Sequence, residues 1–170
     1  MDNFIIKLGS INNGENYFSF KIKDQFFESC IFQDIKHVDI SAYAILDKGN
    51  ENISLNLKIE GKINNLACDI CAEKLSIQIS GETNIIVKKN DDNLISTDEI
   101  FYVKKSENSL NLKQLIYELI VVSVPKKREH PTDNKGNRTC DKKMIALVKK
   151  YTQSQKTASD PRWEVLKNLK

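Results

Sequence analysis

Four cysteines and two histidines carry most of the reactive chemistry in this 170-residue chain: Cys30, Cys68, Cys71, Cys140, His37 and His130. Cys68-Asp69-Ile70-Cys71 is a C-x-x-C, set between a strand ending near Asn64 and one starting near Leu75. A hairpin turn of this kind converges two thiolates on one point, which is half of the tetrahedral Cys/His shell that zinc favours. The other half is available in the polar segment 126–140, as His130 and Cys140 spaced H-x9-C. Cys68, Cys71, His130 and Cys140 together make a Cys3His set. A metal would also order a segment that has no apolar residue except its final Cys, because ligand-binding energy becomes folding energy. The gap from Cys71 to His130 matches no common zinc-finger spacing, so the alternatives stay open. One is a redox dithiol, although no strand-to-helix junction is present to lower a thiol pKa. The other is a set of ordinary free thiols. Cys30 lies in an apolar context, Phe26-Phe27-Glu28-Ser29-Cys30-Ile31-Phe32, and reads as a small buried hydrophobe. His37, just ahead of a strand, reads as a surface residue and is the reserve fourth ligand.

The rest of the chain offers no catalytic constellation. Six glycines are scattered singly, without a phosphate loop, and there is no G-x-S-x-G, H-E-x-x-H or EF-hand pattern. Asp91-Asp92 and Asp98-Glu99 are paired carboxylates in polar turn contexts, where a solvated turn is the simpler reading. The chain reads as a non-enzyme without a small-molecule substrate. Its basic residues are more suggestive. Lys126, Lys127, Arg128, Lys135, Arg138, Lys142 and Lys143 fall on the proposed metal-bearing segment and the helix after it, followed by Lys149-Lys150. Lys and Arg that neutralise phosphates give salt-dependent, largely sequence-independent affinity for nucleic acid. A solvated helix face is the plainer alternative. Residues 1–103 hold 10 Lys against 16 Asp and Glu, net −6, whereas 104–170 hold 16 Lys and Arg against 7 acids, net +9. Either the basic part meets a polyanion, or the two parts neutralise each other.

The elements that must position these groups change period along the chain. Phe4–Leu8 is a short strand. Tyr17–Ile22 alternates. Val38, Ile40, Ala42 and Ala44 share one face, with Asp39, Ser41 and Tyr43 on the other. Ile53–Ile59 and Leu75–Ile79 also alternate strictly. Period two with one polar face predicts an antiparallel sheet with one wet side. A short helix is expected near Asp24–Cys30. Leu112, Leu115, Ile116, Leu119 and Ile120 then follow helical spacing, capped by Ser109 or Asn111 and stopped by Val124-Pro125. Met144, Ile145, Leu147, Val148 and Tyr151 stripe a second helix. After a polar linker over Thr152–Ser159, Asp160 and Pro161 open a third as N-cap and first residue, with Trp163, Leu166 and Leu169 as its apolar contacts. The expected class is α+β: an antiparallel sheet or partly closed barrel in the N-terminal two-thirds, then about three helices, in a single domain spanning 1–170.

Composition sets the outer limits. Hydrophobic residues make up 40% and charged residues 29%, which excludes a membrane protein, a collagen-like fibre and a wholly disordered chain. No apolar run approaches the length of a membrane span. The N-terminus lacks a basic n-region and its apolar patch is too short for a signal peptide, so the expected location is the cytoplasm. With 23 Lys, 21 Ile and 17 Asn against 3 Arg, the usage is that of an A+T-rich genome, and Lys in place of Arg says little about mechanism.

Taken in order, these motifs resemble a known family. C-D-I-C in the middle, the apolar helix with Glu118 running into Val124-Pro125, then His130, Cys140 and the closing D-P-R-W-E-V-L-K-N-L are similar to the YceD family. Its bacterial members are called large ribosomal RNA subunit accumulation proteins. The resemblance runs the length of the chain and is clearest over residues 60–170. It implies metal and nucleic-acid binding, a link to 23S ribosomal RNA accumulation and large-subunit biogenesis, and frequent encoding beside a large-subunit ribosomal protein. It places the family's C-x-x-C on Cys68 and Cys71, its histidine after the proline on His130 and its later cysteine on Cys140. Asp160, Pro161 and Leu166 fall on the family's terminal motif. The stretch from His130 to Cys140 is longer than in some members. The expected function is therefore a non-enzymatic ribosome-biogenesis factor with zinc, contacting 23S rRNA or a large-subunit assembly intermediate. The alternative is an adaptor that binds a ribosomal protein or assembly factor without touching RNA.

Overall fold

The computed structural model describes residues 4–28, 35–49, 52–90, 94–97 and 99–153. Two compact units emerge from one chain. The first comprises Met1–Leu66 with Lys74–Arg128, and the second Ala67–Glu73 with the described part of Glu129–Lys170.

In the first unit the alternating segments become a five-stranded sheet ordered β2-β3-β4-β5-β6. Its strands are β2 (Gly14–Ile22), β3 (Val38–Lys48), β4 (Ile53–Ala67), β5 (Lys74–Lys89) and β6 (Ile100–Val103). β1 (Ile5–Lys7) pairs separately with β7 (Ser109–Asn111). The β2–β3 register runs from Gly14↔Lys48 to Ile22↔Ile40, and the β3–β4 register from Val38↔Ile63 to Lys48↔Ile53. This register puts Ile40, Ala42, Ala44 and Leu46 on the same face as Leu55, Leu57, Ile59 and Ile63, all fully buried or nearly so. The period-two expectation holds there because one face is dry and a one-residue slip would invert it.

Helix α1 (Lys113–Ser123) covers that face, with Leu112, Ile116 and Ile120 fully buried. The N-cap position falls on Leu112 and not on Asn111 or Ser109, but Asn111, one residue earlier, still accepts the Lys113 N–H through Oδ1 at 2.9 Å. Gly81 marks the crossing of α1 over β5: a Cβ there would meet the Ser123 hydroxyl and Leu119, so any larger residue would force these helix side chains to shift. Phe4, Phe26, Phe27 and Tyr117 close the end of the core in tilted and edge-to-face contacts.

Three expectations need correction. The sheet is mixed, because β6 pairs parallel to β5. It is an open sheet ordered from β2 to β6, not a closed barrel. The described residues hold two α-helices where about three were expected, α1 and α2 (Lys142–Gln153). The third, from Asp160, lies outside the described residues, as do Cys30, Asp91-Asp92 and Asp98. The helix expected near Asp24 is a single 3-10 turn, Asp24–Phe26, and the remainder of that segment beyond Glu28 is also outside them. No helix among the described residues is long and apolar enough to cross a membrane.

Candidate metal centre

The second unit is built from two short backbone devices and a helix. The first is the turn Cys68–Glu73 in the β4–β5 connection. The Cys68 carbonyl accepts the Ala72 N–H at 2.9 Å and the Cys68 N–H donates to the Glu73 carbonyl at 2.9 Å. Ala72 takes a left-handed conformation, φ +59°, to close it. This curl points the amides of Ile70 and Cys71 at the Cys68 sulfur.

The second device is the segment from His130 to Cys140. It is a small hairpin held by polar bonds, with Thr132 bridged to Arg138. Asp133 organises its tip: Oδ1 accepts the N–H of Lys135 at 2.9 Å and of Asn137 at 2.7 Å. Those donors hold the Asp133 carboxyl below the usual carboxylate range, Asn137 contributing most. Gly136 supplies the positive φ, +78°. At the open end Thr139 Oγ1 donates to the Pro131 carbonyl at 2.6 Å, and Arg138 lies 3.7 Å from Glu129. The hairpin brings the ends of H-x9-C together. Asp141, next to Cys140, then caps α2 by accepting from the N–H of Lys143 (2.6 Å) and Met144 (3.1 Å).

These devices bring all four sequence-predicted ligands together. One ligand atom from each of Cys68, Cys71, His130 and Cys140 lies within 4.8 Å of every other. Cys68 Sγ to Cys140 Sγ is 3.7 Å, Cys71 Sγ to His130 Nδ1 3.4 Å and Cys140 Sγ to His130 Nδ1 3.6 Å. For zinc with its usual bond lengths, a tetrahedron has edges of about 3.8 Å between sulfurs and about 3.5 Å between sulfur and nitrogen. The separations therefore fit a single tetrahedral ion, and the sulfur pair is far beyond the ~2.05 Å of a disulfide. The three cysteines are buried, at 3%, 8% and 3% exposure, and His130 is half-buried. Burial works against the Cys68 thiolate, but the amide N–H groups of Cys71, Ile70 and His130 outweigh it and bring the thiol down to about 6. Cys140 moves upward instead, through burial and the adjacent Cys68, against one amide bond from His130. The backbone amides that converge on Cys68 favour a thiolate, the form in which cysteine binds a metal.

A family model described as large ribosomal RNA subunit accumulation protein YceD matches residues 55–170. The chain belongs to the YceD family. No curated protein matches this YceD chain, and no solved structure does. The matched span contains the whole Cys3His cluster and α2, and its description ties the family to accumulation of large-subunit ribosomal RNA.

The basic residues divide between the units. Lys126, Lys127 and Arg128 end the first, Lys126 and Lys127 exposed and Arg128 half-buried. Lys135, Arg138, Lys142 and Lys143 are exposed on the second. His37 belongs to the first unit, 4.0 Å from Asp24, and takes no place in the cluster. Sequence reasoning missed the supporting residues: Asp133, Asp141, Ala72 and the amides of Ile70 and Cys71. The run D-N-K-G-N was a turn signal that could have revealed the hairpin.

Proposed function

We propose that this YceD-family chain is a non-catalytic factor in large-subunit ribosome assembly that holds one structural zinc and contacts ribosomal RNA through its basic residues. The observation that carries the reading is the close approach of three thiols and one imidazole, with Cys140 directly preceding the cap of a lysine-rich helix. Cys68, Cys71, Cys140 and His130 Nδ1 would hold the ion. Zinc there would supply no reaction step; it would cross-link the knuckle turn, the polar hairpin and the start of α2. A closed four-ligand shell leaves no open position for substrate, which is the pattern of a structural site. Lys135, Lys142 and Lys143 would then be held on one rigidified element, with Lys126, Lys127 and Arg128 adding phosphate contacts from the preceding segment.

Elemental analysis of the native protein should find one zinc per chain, and Cys140→Ser should lose it. Filter binding to large-subunit rRNA fragments at rising salt tests the RNA contact. Neutralising Lys126, Lys127 and Arg128 together should flatten the log–log salt slope by about 2. No affinity at low salt would end the RNA part of the reading while leaving the zinc part intact.

A further inference from the structure

The side of the five-stranded sheet that faces away from α1 carries a patch unlike its polar surroundings. Tyr17 is 68% exposed and Tyr43 40% exposed. In the β2–β3 register Tyr17 lies opposite Ile45 and Ser19 opposite Tyr43, so the two rings are diagonal neighbours on one face. Large aromatics ordinarily bury most of their surface, which Tyr17 does not; Tyr43 is partly open, and its ring has no aromatic or hydrogen-bonding partner among the described residues.

Beside them the same register sets Glu15 directly opposite Asp47. Like charges facing each other across a strand pair are destabilising. The nearest lysine on β3 does not relieve them: Lys48 turns to the other face and donates to the Ile11 carbonyl at 3.2 Å. Asp47 has no ion pair or hydrogen bond among the described residues, and Glu15 accepts only from the Tyr17 hydroxyl. Two lysines share this outward face, Lys58 directly opposite Tyr43 and Lys21 bonded to Ser41 at 2.7 Å, and neither pairs with Glu15 or Asp47. Two carboxylates with no cationic partner among the described residues, next to two exposed tyrosine rings, match one side chain best. The guanidinium of arginine stacks flat on an aromatic face while its N–H fork pairs with a carboxylate. Nucleic acid fits the rings but is repelled by the carboxylates.

We propose that this outward face, centred on Glu15, Tyr17, Tyr43 and Asp47, docks an arginine-bearing segment of a partner protein. The surface lies wholly in the first unit and does not rest on the metal or RNA reading. An NMR titration of the full-length protein with a (Gly-Arg)5 peptide tests it. Amide shifts should centre on Tyr17, Tyr43 and Ile45. E15Q combined with D47N should weaken binding about tenfold, the effect of two exposed charge pairs. The same double variant should raise the thermal midpoint, since it removes the facing charges; a merely structural pair would not couple the two effects in that direction. Y43L should weaken binding with the charges intact. The proposal is overturned if the peptide shifts other residues instead, if (Gly-Lys)5 binds as tightly, if neither variant weakens binding, or if a single-stranded oligoribonucleotide moves the same resonances with comparable affinity.

Discussion

The two units of the molecule are stabilised by different means. In the first, burial does the work: Ile40, Leu46, Leu55, Leu57, Ile59, Leu110, Ile116 and Ile120 are all at most 1% exposed. In the second, only Cys68, Ile70, Cys71 and Cys140 are buried among the described residues, and three of those four are cysteines. At about 25 cal/mol per Å² of apolar surface, these four side chains contribute little against the ordering entropy of the described segments that carry them. Helix α2 underlines the difference: Leu147, Val148 and Tyr151 are exposed, whereas the corresponding stripe of α1 is buried. Where a sheet and helix can exclude water, hydrophobic residues specify the fold. Among the described residues of the second unit, the groups that would bind a metal occupy the place of the core.

The sharpest way to break this contrast is to strip the zinc proposed for the Cys3His cluster. Structural zinc contributes on the order of 10 kcal/mol in small domains at neutral pH. A chelator under reducing conditions, or Cys140→Ser, should abolish amide protection in α2 while the β3–β4 amides stay protected. Hydrogen exchange reads both at once. Survival of α2 protection after complete zinc loss would show that the second unit holds itself together by other means.

The converse substitution is Ile116→Ala in the first unit. Ile116 is fully buried on the inner side of α1, and truncation should cost about 3 kcal/mol through lost transfer energy and the cavity left behind. The urea midpoint should fall accordingly, with zinc per folded chain unchanged. A parallel fall in zinc content would mean that the two units do not stand on separate supports.

What could be read from the sequence follows the same division. Strands β2 to β5 were legible because strict alternation maps directly onto one dry face, and the stripe of α1 because Leu112, Ile116 and Ile120 recur at helical spacing. β6 and β7 were not. Four and three residues are too short to show a period, and β7 is defined by β1 at the other end of the first unit's chain. In the candidate site, the four residues that cluster were legible because sulfur and imidazole are scarce and carry few other uses. The hairpin that unites His130 with Cys140 was not, since side-chain to backbone bonds such as those of Asp133 leave no hydrophobic pattern. The 130–140 segment thus has internal support that a reading based on apolar residues could not register.

Asp141 tests whether cap and metal act together. Its carboxylate satisfies two amides at the start of α2, one residue after Cys140. Asp141→Ala should cost about 1 kcal/mol of helix stability. If α2 and the cluster fold as one, that loss should appear as roughly fivefold weaker zinc affinity in a competition assay. Unchanged affinity, with faster exchange confined to α2, would place the helix outside the metal's cooperative unit.

The smallest expected effect lies in the knuckle itself. Ala72 holds φ +59°, where its Cβ crowds the neighbouring carbonyl, in order to let its N–H reach the Cys68 carbonyl. An L-residue in this conformation costs about 1 kcal/mol, a cost that glycine escapes. Glycine also gives the unfolded chain more freedom, which opposes part of the gain. Ala72→Gly should therefore stabilise the zinc-loaded second unit by about 0.5 kcal/mol, read as slower zinc loss to a chelator, and leave the first unit's urea midpoint unmoved. The direction matters more than the size. The same exchange in the middle of a strand or helix would destabilise, so a gain at this position would show that the turn's geometry, and not its packing, sets the stability of the knuckle.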